Sequence, residues 1–147
     1  MALLPLETSE AVPGLGLVAR LTPERCRALL AKEGFGHLAL SQNALPLVVP
    51  ATYIVDGDHL VARVGPGVLL RPGPSGGVVA FQTASAHLEE AWRWDVVVQG
   101  RAEVLASTPA RATPPPLPLV DNDLTTIVRI GMELMTGWQY GEPPRVP

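Results

Sequence analysis

Cysteine and lysine each occur only once in this chain, as Cys26 and Lys32. A single thiol closes no internal disulfide, so a stapled secreted scaffold is excluded. Schiff-base chemistry would have to run through Lys32, which stands between Ala31 and Glu33 and reads as a solvated helix side chain. Aromatic residues are scarce at 5%, and no stretch approaches the roughly 20 apolar residues of a membrane-spanning helix. There is no basic run and no basic patch interleaved with aromatics, and 11 basic against 14 acidic side chains leave a net charge of −3. A phosphate backbone would find little to bind, so nucleic acid is not an expected partner. The opening MALLPLETSEAV carries Glu7 and Glu10 where a secretory leader has a basic flank, so the expectation is a cytoplasmic protein without a membrane partner.

Apolar residues, by contrast, are abundant at 47%, with a mean hydropathy of +0.23. That excludes a disordered, solvating chain and implies more covered surface than a loose monomer needs, as in subunit contact. The 147 residues suit one domain with one core, 1–147.

Within it, residues 1–20 carry Pro5, Pro13, Gly14 and Gly16 without a sustained period and read as an N-terminal arm with no fold of its own. Thr22, Pro23 and Glu24 are a helix start, and Cys26, Leu29 and Leu30 place one apolar stripe on a short helix over 23–33 that Gly34 stops. The period then changes to two or to β-branched runs at 35–41, 46–56, 59–64, 77–83 and 94–105, which predicts five strands. Asp56-Gly57-Asp58 and Gln42-Asn43-Ala44 are turn signals, and strands joined so briefly are antiparallel. The 65–76 loop has room for one helical turn at Val68 to Arg71. A proline-rich connector follows at 106–120, then a sixth strand over 124–138 with an interruption near Gly131, and a tail at 141–147. A helix over 131–136 is the rival reading of that stretch, because Met132 and Met135 have the spacing for it. Six short strands with one or two small helices predict a mainly β fold, a small six-stranded antiparallel barrel.

Short motifs give little chemistry. Gly14 to Ala19 fits a dinucleotide-loop pattern, but no strand precedes it and no helix opens on it. Gly73-Pro74-Ser75-Gly76-Gly77 fits a nucleophile elbow, yet a strand follows where the elbow needs a helix, so Ser75 is a turn residue. His37, His59 and His87 lack the spacing that puts two metal ligands on one element, and His37 and His59, on alternating strands, read as solvent-facing or satisfied core residues. Glu89-Glu90 reads as a solvated loop. Trp92, Trp94, Trp138, Tyr53 and Phe81 either pack the core or wall a planar ligand.

The succession of a helix, GHLAL, PLVVPATYIVDGDHLVARVGPG, VVAFQT and WDVVVQGRAEVL resembles the pyridoxamine 5'-phosphate oxidase-like superfamily, over about residues 22 to 106 and more faintly near 124 to 140. The resemblance implies the FMN-binding split β-barrel, in which two subunits form a homodimer and hold two flavins in the clefts between them. It implies a flavin-linked oxidoreductase that exchanges hydride with a small substrate, the isoalloxazine doing the chemistry without a catalytic side chain. By position, Pro50, Ala51 and Thr52 run along the flavin ring, while Arg63, Val64, Gly65, Val68 and Leu69 lie at the phosphate. Gln82 and Asp95 fall near the ring or ribityl chain, and Trp138 reaches the other subunit's cofactor.

Relatives commonly carry hydroxyl residues and a lysine where Val64, Val68 and Leu69 stand, which leaves Arg63 and Arg71 as the cations for a phosphate. Asp95 replaces a neutral polar residue, and an acid there disfavours a reduced, anionic flavin. The rival expectation is a binding module of the same fold with a degenerate phosphate site, holding a deazaflavin, haem or no cofactor. A third makes the barrel a dimerisation scaffold.

Overall fold

The computed structural model describes residues 10–12, 16–65, 77–85, 89–107 and 126–141. In chain order its elements are β1 (Glu10–Val12), β2 (Gly16–Arg20), α1 (Pro23–Lys32), β3 (Phe35–Gln42), β4 (Leu45–Asp56), β5 (His59–Val64), β6 (Val78–Ala84), β7 (Arg93–Leu105), β8 (Thr126–Gly131) and β9 (Leu134–Tyr140). The five strands expected between 35 and 105 are present, their ends shifted by one residue at most.

Two hairpins set the register of the first half. Asn43 and Ala44 both take positive φ, 52° and 63°, the backbone that lets a two-residue turn follow the strand twist. Gly57, at φ 58°, supplies the same conformation between β4 and β5 at no steric cost. Counting back from these turns pairs His37 with Pro50 and Thr52 with Arg63.

All strands lie in one sheet, in the order β1-β2-β9-β7-β6-β3-β4-β5-β8. A further antiparallel pairing of β7 with β8 joins the ends of the run from β7 to β8, so six strands close into a barrel. Strand β7 makes this possible because one of its edges is divided. Its residues 93–99 pair with β9 and its residues 102–105 pair with β8. The division falls at Gly100, where a Cβ would overlap the carbonyl of Gly131. The predicted interruption near Gly131 is real and separates β8 from β9; the helix considered for 131–136 is a strand end, a bend and a strand start.

Inside, the inward-facing side chains of the barrel strands are shielded, among them Leu38, Leu60, Val64, Phe81, Val98 and Ile130. Helix α1 starts as expected, with Thr22 Oγ1 accepting from the Arg25 amide at 3.2 Å and Pro23 in the first turn. It buries Cys26, Leu29 and Leu30 against the sheet, and the Tyr53 hydroxyl donates to the Leu30 carbonyl at 2.6 Å. The N-terminal segment differs from expectation: residues 16–20 form β2, paired with β9, and residues 10–12 form β1 beside it. The helical turn expected at 68–71, most of the proline-rich connector and the tail beyond 141 lie outside the described residues.

Two predictions test this packing. Gly100→Ala should lower stability by about 3 kcal/mol, the upper end of the usual cost of overpacking, because the added methyl meets backbone that cannot rotate away; the shift in urea midpoint measures it. Burial pushes the Tyr53 phenol from its ordinary 10.0 up to about 12. The unfolded chain therefore ionises first, and the stability tied to this group is complete below pH 10.0 and lost as pH rises towards about 12. Tyr53→Phe should cost about 1 kcal/mol at neutral pH through the lost hydrogen bond and should flatten the alkaline decline seen by denaturant titration at stepped pH. An unchanged alkaline slope would contradict the assignment.

Candidate functional site

Alternation along the strands divides the expected site residues between the two faces of the barrel wall. Ala51 and Val64 face inward, each 0% exposed and opposite one another in the β4–β5 pair. Their side chains belong to the core, and only their backbone is available to a ligand outside. The apolar Val64 therefore takes no donor away from the outer face, since a hydroxyl at that position would point into the barrel. Pro50, Thr52, Arg63, Gln82, Asp95 and Trp138 all fall on outward positions. Gly65 follows β5 and is partly exposed. Val68 and Leu69, with Arg71, lie outside the described residues.

The outward residues form two groups. In the first, Thr52 stands opposite Phe35 on one side and Arg63 on the other, and the neighbouring row runs from Pro50 through His37 to Gln82. Thr83 ties the two strands beside it, its hydroxyl donating to the Phe35 carbonyl at 2.8 Å. Arg63 is the cation of this group. Its Nε is shielded from solvent yet has no acceptor among the described residues.

In the second group, Asp95 stands opposite Ala84 and Trp138, and Trp138 stands opposite Arg20. The Arg20 guanidinium lies over the Trp138 ring, 5.9 Å from its centroid, and the Tyr140 hydroxyl donates to Asp95 Oδ1 at 3.4 Å. Burial, followed by the Asp95 charge and that hydrogen bond, raises the Tyr140 phenol. Strands β5 and β9 do not pair; the wall joins them through β8 and β7 on one side and through β4, β3, β6 and β7 on the other. Arg63 and Trp138 thus fall in separate groups, on strands that are not neighbours.

Three residues at the site escaped the sequence reading. The sequence leaves His37 solvent-facing or in the core, outside the candidate site; it is exposed, lies between Pro50 and Gln82, and meets Phe35 edge-on at 5.5 Å. The two-residue turn at 43–44 already implied that pairing. Phe35 was treated only as the start of a strand, yet it is 51% exposed. Arg20 was assigned to the arm, and only the pairing of β2 with β9 reveals it.

The other aromatic residues divide by role. Trp94, Tyr53 and Phe81 are core, whereas Trp92 lies under Arg25 at 5.6 Å and donates from its indole to Gln139 Oε1 at 3.3 Å. Glu89 and Glu90 are exposed, His59 is half-buried, and His87 lies outside the described residues. Of the two loop motifs, residues 16–19 lie on β2 rather than at a helix start, and 73–76 fall outside the description. Among the described residues no three His, Cys, Asp or Glu side chains are placed to hold a metal, and no helix is long and apolar enough to cross a membrane.

A closed antiparallel wall with one strand edge divided between two partners defines a split β-barrel. The family model described as pyridoxamine 5'-phosphate oxidase matches residues 22–137, and the chain belongs to that family. Similar folds include a Corynebacterium glutamicum protein provisionally named a pyridoxamine 5'-phosphate oxidase, with TM-score 0.67 and 20% identity over 87% of this chain and 96% of that one. An FAD-binding protein of Mesorhizobium loti has TM-score 0.60 and 24% identity over 86% and 98%. An FAD- and haem-binding protein of Mycobacterium smegmatis has TM-score 0.52 and 16% identity over 87% and 76%. No curated protein matches the sequence.

The stacked pair in the second group is directly measurable. Arg20→Ala should leave the barrel folded, cost about 0.5–1 kcal/mol, and make Trp138 emission more accessible to iodide. Unchanged quenching would show that Arg20 does not cover the indole.

Proposed function

We propose that this protein is a cytoplasmic, FMN-binding oxidoreductase that acts as a homodimer on a small planar substrate. The observation that carries the reading is the Arg63 Nε, buried without an acceptor among the described residues. A guanidinium N–H removed from water and left unpaired costs free energy, which an anionic oxygen recovers through a charge-assisted bond. The donor set thus fits a flavin phosphate, held by Arg63 with help from the Gly65 backbone amide. Thr52 and Pro50 would flank the ring, and Gln82 lies three strand spacings from Arg63, about 14 Å, within reach of the same extended cofactor. When bound, the isoalloxazine supplies the hydride chemistry.

The apolar surface that one chain leaves exposed supports the homodimer. Phe35, Val48 and Val78 stay 51%, 62% and 70% exposed, and Val48 lies opposite Ala39, itself opposite Ala80, so an apolar row crosses the outer face of β4, β3 and β6. Covering it with a second copy supports the excess apolar content and carries a second Trp138, with Arg20 and Asp95, to the Arg63 group. Arg20 there offsets the Asp95 charge, which by itself disfavours a reduced, anionic ring.

The second reading, a module holding a deazaflavin, haem or no cofactor, rests on Arg63 being the only cation described at the phosphate end. It draws support from the flavin-and-haem chemistry printed for one neighbour.

Titrating FMN into the purified protein, followed by flavin fluorescence and absorbance, decides between them. The wild type should bind as a dimer, and Arg63→Ala should weaken binding by about ten- to a hundredfold, the equivalent of one charge-assisted bond. A wild type indifferent to FMN, or equal binding by Arg63→Ala, would contradict the proposal.

A further inference from the structure

A cavity of about 130 Å³ opens on the outer face where β7 changes partner, lined by His59, Arg101, Glu103, Arg129, Gly131 and Glu133. We propose that it is a second ligand site, one that takes a protonated phosphate-class oxyanion. It is separate from the Arg63 group: His59 precedes Arg63 by four residues on β5, about 13 Å of strand.

The donors come from three strands. Arg129 uses one guanidinium nitrogen on Glu103 Oε2 at 2.5 Å and keeps further N–H groups. The Arg101 guanidinium and the His59 imidazole have no partner among the described residues. Glu133 accepts the Arg101 amide at 3.3 Å through Oε1 and leaves its other oxygen as an acceptor. Two arginines against two glutamates leave no large positive excess. A fully deprotonated dianion therefore gains little from the summed field. An oxyanion that retains a proton satisfies both kinds of group, accepting from Arg101, Arg129 and His59 while its O–H donates to Glu133. The space, about four waters at roughly 30 Å³ each, suits a tetrahedral ion of five heavy atoms.

The discriminating probe is inorganic phosphate against sulfate, which has the same shape and no proton to give at neutral pH. Both are titrated at constant ionic strength into wild type and Arg63→Ala, without flavin, by calorimetry and thermal midpoint. Saturable phosphate binding that persists in Arg63→Ala is expected, with sulfate about tenfold weaker, the worth of one lost hydrogen bond to a charged group. Arg101→Ala, at an exposed position that leaves the core intact, should weaken phosphate about tenfold, and Glu133→Gln should narrow the gap between the two ions. Glycerol phosphate competing with phosphate would assign the site to a phosphate monoester; failure to compete would assign it to the free ion, and both support an oxyanion site. Equal responses to phosphate and sulfate, or phosphate binding unchanged by Arg101→Ala, would overturn it. Loss of phosphate binding in Arg63→Ala would overturn it too, by moving the ion to the flavin site.

Discussion

The barrel depends on the close approach of two backbones, Gly100 of β7 and the carbonyl of Gly131 at the end of β8. There β7 gives up β9 and takes β8, and that exchange lets a nine-stranded sheet close on six strands while three strands continue outward from the seam. A side chain at Gly100 would hold the two strands apart and break the closure. Everything functional is positioned from this seam. The closed part carries the Arg63 group, and the extension beyond it carries Trp138 and Arg20.

Much of this was legible in the chain because it is local. Period-two alternation located β3 to β7, and the turns at Asn43-Ala44 and Gly57-Asp58 dictated which residues face each other, so the contact of Thr52 with Arg63 followed from counting back along each hairpin. Face assignment was equally available but unused. Ala51 and Val64 alternate with Thr52 and Arg63 and so had to point inward. What local patterns do not carry is long-range pairing. Nothing in the first twenty residues announces that β2 lies beside β9, so Arg20 passed for part of an arm. The division of β7 between β8 and β9 likewise depends on segments about 30 residues further along the chain.

The inner and outer faces separate stability from recognition. Inside, shielded aliphatic and aromatic side chains form the core. Outside, the wall offers exposed apolar side chains, a shielded Arg63 Nε with no acceptor among the described residues, and a cation-stacked indole. Membership of the pyridoxamine 5'-phosphate oxidase family accounts for the wall; the chemistry rests on the few polar side chains set on it.

The most direct test is a crystal structure of the protein grown with FMN. The account predicts a two-fold dimer with the phosphate accepting from the Arg63 Nε, and with the indole of Trp138 from the second copy against the flavin. Flavin seated away from Arg63, or a monomer whose apolar strip faces solvent in the presence of FMN, would contradict it.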